Sequence, residues 1–192
     1  GSARGDVGLS GAGLVRDAAA RLGIRVTLAE GIALSHTRPG RALSAFCLWA
    51  EEGFPREGLV RLLQSVDLET GEGFPSAAQT ARLLTASGAA GGRAAIALGL
   101  KAHAARLRAR REEDRREGEA DRAERSARFV EALSALVPEG DRVDPATAFR
   151  GCRLFLQRHV RPASEADQGS QDELRRALEA LEGIGAPASP LG

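Results

Sequence analysis

The sequence predicts a mainly α, multi-helix domain with a short strand or small sheet near the N-terminus, and three observations carry that reading. Ala, Leu, Arg and Glu dominate the 192 residues, and all four favour helix. Aromatic content is only 4%, with one Trp, six Phe and no Tyr, so the apolar content is carried by Ala and Leu rather than by aromatics. Apolar residues recur at three and four positions in segment after segment, punctuated by Gly, Pro and capping residues. Helix is therefore expected over more than half of the chain.

Taken in order, residues 3–11 are Gly-rich and follow no strand, so Gly8, Gly11 and Gly13 are not a phosphate loop. Leu14, Val15, Ala18, Ala19 and Leu22 form a helical stripe that Gly23 ends. Ile24, Val26 and Leu28 alternate with Arg25 and Thr27, the pattern of a half-buried strand. Thr37-Arg38-Pro39 offers a cap and a first-turn proline for a helix whose stripe reads Leu43, Phe46, Cys47 and Ala50. After Gly53 and Pro55, Leu59, Val60, Leu62 and Leu63 make a second short helix. Phe46, Trp49, Leu62 and Leu63 are expected to pack together, because the turn between their helices is too short to separate them.

The segment Asp67 to Pro75, with Gly71 and Gly73, reads as a linker, giving two parts at 1–66 and 67–192. Ser76 is placed to cap a helix carrying Ala77, Ala81, Leu83 and Leu84. From Arg93 to Val137 the pattern is helical almost throughout, with Ile96, Leu100, His103 and Leu107 on one side of its first part. Between Arg108 and Arg128 charges of both signs alternate, with Glu112–Arg116, Asp121–Arg125 and Glu124–Arg128 at i,i+4 spacing. Gly118 costs about 1 kcal/mol of helix stability, so a break or bend is expected near it. Phe129, Leu133, Leu136 and Val137 restore a stripe before Pro138-Glu139-Gly140. Asp144-Pro145 starts a further helix through Phe149, Cys152 and Phe155, ending at Pro162. Ser170 with Glu173 reads as a capping box for a last helix through Leu174, Leu178 and Leu181.

Charge and composition exclude more than they assign. A net charge of +1 gives no global attraction to nucleic acid or membrane. No apolar run approaches the length of a bilayer span, and no signal peptide is visible, so a cytoplasmic setting is expected. The start Gly1-Ser2, in a chain without Met, reads as a cloning remnant on a segment of a longer protein. Cys47 and Cys152 both lie among apolar neighbours and read as small hydrophobes rather than a disulfide framework. His36, His103 and His159 are scattered, no Gly-rich loop ends in Lys-Ser/Thr, and no serine sits in a nucleophile elbow. No catalytic residue, cofactor, metal site or small-molecule substrate is expected.

Arginines crowd the segment 106–128, where they could follow phosphates. Seven acidic residues lie between Glu112 and Glu124, and no aromatics interleave for base stacking. A solvated, ion-paired arm is the plainer reading of that run. Arg106, Arg110 and Arg111 precede most of the acidic residues and are the candidate nucleic-acid contacts, with Arg38 and Arg41 beside the central loop as a second set.

The order of elements in the first third carries a resemblance. Leu14–Leu22 gives a helix, Gly23-Ile24-Arg25-Val26 a strand opening and Ala29-Glu30-Gly31 a turn. A capped helix ending Leu48-Trp49-Ala50-Glu51-Glu52 follows, then Leu59-Val60-Arg61-Leu62-Leu63. This passage resembles one in superfamily I DNA helicases, in particular the inactivated helicase region of AddB-type helicase–nuclease subunits among PD-(D/E)XK nuclease-family DNA repair proteins. The resemblance implies that 1–66 ends a motor subdomain and that 67–192 is an inserted helical accessory subdomain. It further implies a non-catalytic role in bacterial DNA repair and recombination, contacting DNA or organising a complex with a helicase–nuclease partner subunit. The lone strand at 24–28 agrees with it, since a parent motor sheet would pair its edges. Two rivals remain: an independent helical protein–protein interaction module, and an enzyme with a diffuse site.

Overall fold

A computed structural model describes residues 36–65, 68–109, 114–140 and 143–185. Seven helices occupy 75% of these residues, and no strand occurs among them. They are α1 (Arg38–Glu51), α2 (Arg56–Ser65), α3 (Ala77–Ser87), α4 (Ala95–Ala109), α5 (Asp114–Ser134), α6 (Pro145–His159) and α7 (Glu165–Gly185). The helix at 14–22 and the strand at 24–28 lie outside the described residues.

Local capping chemistry starts several of these helices as their sequences imply. Thr37 Oγ1 accepts from Gly40 N at the head of α1, with Pro39 in its first turn. Ser76 and Gln79 form a reciprocal capping box on α3. The Asp144 carboxylate accepts from Ala146 N and Thr147 N ahead of α6. These hydrogen bonds and the Thr147 hydroxyl hold its pKa below the usual aspartate range, the hydroxyl contributing most.

Three helix boundaries differ from the sequence reading. α5 runs on through Gly118, whose cost of about 1 kcal/mol is outweighed where Ala120, Ala123 and Ala127 bury in the core. The helical run from Arg93 to Val137 is instead two helices, α4 and α5. Their ion pairs Lys101–Glu131 and Arg108–Asp121 connect positions in opposite order, so the two run antiparallel. α7 begins at Glu165 rather than Ser170. Its cap is Ser164, whose Oγ accepts from Asp167 N, and Ser170 is fully buried inside the helix.

One core runs through all seven helices. Phe46, Trp49, Leu62 and Leu63 are all buried in it, as their spacing implies, along with Leu84, Leu100, Leu133, Phe155 and Leu156. Phe46 of α1 stacks on Phe155 of α6 with centroids 4.2 Å apart and planes at 8°. The stripe of α1 is turned by one position from expectation: Ala42, Phe46 and Trp49 are buried, while Leu43, Cys47 and Ala50 are only partly covered. α6 and α7 pack as a second antiparallel pair, tied by Arg153–Glu182 at one end and by Gln171 Nε2 to Leu156 O at the other.

The head of α1 is fastened to α7 by buried polar groups. Thr37 Oγ1 and Ser170 Oγ lie 2.7 Å apart. Asp167 Oδ1 accepts from Arg38 N at 2.8 Å, and its Oδ2 accepts from Ala163 N at 3.2 Å. One carboxylate thus satisfies backbone donors at the starts of two helices, where negative charge also suits their dipoles.

Candidate nucleic-acid interface

The three described arginines among the candidates lie on two separate helices. Arg106 lies near the end of α4, which packs on α3 and α5; Arg38 and Arg41 open α1, which packs on α2, α6 and α7. Arg110 and Arg111 lie outside the described residues.

The Arg106 and Arg41 side chains are each tethered to nearby backbone. Arg106 is exposed, and its Nη2 donates to Ser87 O at 3.0 Å, satisfying a carbonyl in the last turn of α3. A guanidinium carries five N–H donors, so this bond orients the side chain while using one of them. Arg41 is exposed and donates from Nη1 to His36 O at 2.7 Å. Arg38 is half-buried, with its backbone N–H on Asp167.

Further along the α4–α5 pair, charge is consumed internally. Arg108 Nη2 donates to both Asp121 Oδ1 at 2.8 Å and Glu124 Oε2 at 2.7 Å. Glu124 also lies 3.6 Å from Arg128, one of the i,i+4 pairs read from sequence. Its hydrogen bond from Arg108 holds Glu124 below the usual carboxylate range, and the two acids raise Arg108 in turn. Asp121 is engaged across the helix pair, and Arg125 donates from Nη1 to Gly73 O. A cationic stripe along the arm is therefore not what these residues build; cross-helix ion pairing is.

Sequence reasoning missed a second surface. Between α1 and α2 lies a largely apolar groove of about 420 Å³, lined by Ala45, Leu48, Trp49, Gly58 and Leu62, with Glu52, Arg61 and Gln64 around it. Leu48 is 45% exposed there although it is large and apolar. The buried Trp49 Nε1 has no hydrogen-bond partner among the described residues. The signal was present: Leu48 lies off the face defined by Ala42, Phe46 and Trp49, so a helix with one buried stripe must expose it.

Among the described residues no group of three or more His, Cys, Asp or Glu side chains could hold a metal ion, and no helix is long and apolar enough to cross a membrane. His159, one of the three scattered histidines, is a structural residue: its Nδ1 lies 2.8 Å from Glu69 O. Comparison with family models, curated proteins and solved structures gives no match.

Proposed function

We propose that this chain is a non-catalytic helical accessory region of a bacterial helicase-like or helicase–nuclease protein of DNA repair and recombination, which contacts DNA weakly or organises the complex in the cytoplasm. In this reading residues 1–66 close a motor subdomain and 67–192 are the inserted helical part. The observation that carries it is the setting of Arg106. This side chain is exposed, oriented among the described residues by a bond to Ser87 O, and placed in the chain just before the paired charges begin. A pre-oriented arginine with donors to spare suits a phosphate oxygen. The near-neutral net charge makes such contact weak. Fluorescence anisotropy of a labelled DNA fork at several salt concentrations tests the reading. Binding whose logarithm falls linearly with log salt is expected, and no binding at any salt would remove the DNA role.

A second reading rests on the α1–α2 groove. An exposed leucine above a buried tryptophan, rimmed by the loose Glu52–Arg61 pair at 3.9 Å, suits the apolar face of a partner protein. Under it the chain is an independent interaction module with no nucleic-acid role. Leu48→Glu would abolish partner binding in that case, and the parent chain would bind no DNA fork at any salt.

A further inference from the structure

Two thiols from distant parts of the chain meet across the core. Cys47 on α1 and Cys152 on α6 are 105 positions apart, yet their Sγ atoms are 3.9 Å apart. Both are free thiols. They sit beside the Phe46–Phe155 stack, which holds the two helices face to face. A disulfide needs the sulfurs at about 2.05 Å. Closing that gap calls for side-chain rotation and an approach of α1 towards α6.

We infer that Cys47 and Cys152 form a redox-sensitive pair, which an oxidised low-molecular-weight disulfide such as oxidised glutathione converts into an intramolecular disulfide locking α1 to α6. Exposure sets the order of events: Cys47 is partly covered, whereas Cys152 is 4% exposed. The Cys47 thiolate attacks one sulfur of oxidised glutathione, breaking its S–S bond and releasing one reduced glutathione, which takes up the proton Cys47 gave up. Cys152 then attacks Cys47 Sγ, the mixed disulfide breaks, and the second glutathione leaves with the Cys152 proton. Two protein thiols lose two electrons in total, and one oxidised glutathione gains them.

The product suits its surroundings better than a metal dithiolate would. A disulfide is neutral, whereas two thiolates would bring charge into an apolar site already near Glu51. The contact with the Cys152 thiol, followed by burial, pushes the Cys47 thiol well above its ordinary range. Thiolate is therefore scarce at neutral pH, and the lock forms slowly under sustained oxidation rather than as a fast response. Because the bridge closes a long loop containing α2 to α5, it restricts the unfolded chain strongly.

The folded protein is incubated with excess oxidised glutathione, quenched with an alkylating reagent, and examined by intact mass and thermal melting. The expected product is monomeric, two hydrogens lighter than the reduced protein, carries no alkylated cysteine, and melts about 10 °C or more higher. Cys152→Ser should stop at a glutathione adduct on Cys47, while Cys47→Ser should leave Cys152 largely unreacted. The inference is overturned if both thiols stay alkylatable while a urea-unfolded sample oxidises, or if the product is a disulfide-linked dimer. An intramolecular bridge that leaves the melting temperature unchanged overturns the lock.

Discussion

Glu69 and His159 hold each other by two hydrogen bonds in opposite directions. Glu69 N donates to His159 O at 2.9 Å, and His159 Nδ1 donates to Glu69 O at 2.8 Å. A carbonyl can only accept, so Nδ1 carries the proton in the neutral ring. Arg161 adds an ion pair to the Glu69 carboxylate at 2.6 Å. The segment between α2 and α3, which composition marks as a linker, is thereby pinned to the end of α6, with Leu68 and Thr70 buried beside the pin. Phe129 and Phe155 present their rings to the imidazole at 5.6 and 6.1 Å.

That environment makes stability depend on pH. Burial lowers the His159 pKa from 6.5, outweighing the opposite effect of its bond to Glu69 O. The unfolded chain therefore binds the proton first as pH falls. The stability from neutral His159 is present above about pH 6.5 and is lost as pH falls from there through the folded pKa. Urea unfolding at pH 5, 6 and 7.5 should show the midpoint dropping towards acid. In His159→Gln the drop should be smaller. An unchanged pH profile in the variant would assign the effect elsewhere.

Leu63 tests the core where α2 meets its neighbours. It is 2% exposed and belongs to the same cluster as Phe46 and Trp49. Leu63→Ala should cost about 2–5 kcal/mol by denaturant unfolding. A loss below about 0.5 kcal/mol would place that side chain in solvent.

Two glycines should respond to alanine with opposite signs. A Cβ on Gly151 of α6 would lie 1.9 Å from the carbonyl oxygen of Leu136, which is backbone and cannot swing aside. Gly151→Ala should therefore destabilise by about 3 kcal/mol or more, because α6 must move off the end of α5. Among the described residues, a Cβ on Gly118 meets just the Arg122 guanidinium, at 3.6 Å. Gly118→Ala should stabilise α5 by about 0.5–1 kcal/mol. Equal effects at the two positions would contradict the close approach of α6 to Leu136.

These residues also mark what the sequence could reveal. Thr37, Ser76 and Asp144 were legible as caps because a cap is satisfied within three or four residues of itself. Ser170 looked like a cap by the same rule, but its hydroxyl bonds Thr37, 133 positions away, and no local pattern encodes that. Gly151 carries no sign in its local sequence of the Leu136 carbonyl packed against it from just beyond α5. The α1 stripe is displaced from the most apolar line, since small Ala42 faces the core while larger Leu43 is only partly covered. Charge runs told least: Arg108 is three residues from Arg111 in sequence, but its partners Asp121 and Glu124 lie on the next helix.

The arginine prediction follows from that last point. Arg106, Arg110 and Arg111 stand in sequence where the acidic partners have not yet accumulated, and Arg106 is exposed and tethered, among the described residues, to a backbone carbonyl. If DNA is bound through phosphate contacts here, replacing all three by Ala should weaken binding evenly across sequences. It should also flatten the salt slope, by about 0.9 for each duplex contact removed. Arg38 and Arg41 serve as the second test, because they sit on a separate helix and should make an additive contribution if they touch the same fork. Circular dichroism of each variant checks the fold, since Arg106 also satisfies Ser87 O and its loss can loosen the end of α3. A triple variant that folds and binds like the parent removes Arg106, Arg110 and Arg111 as DNA contacts. In that event the α1–α2 groove becomes the surface to probe, and Leu48→Glu is the variant that decides it.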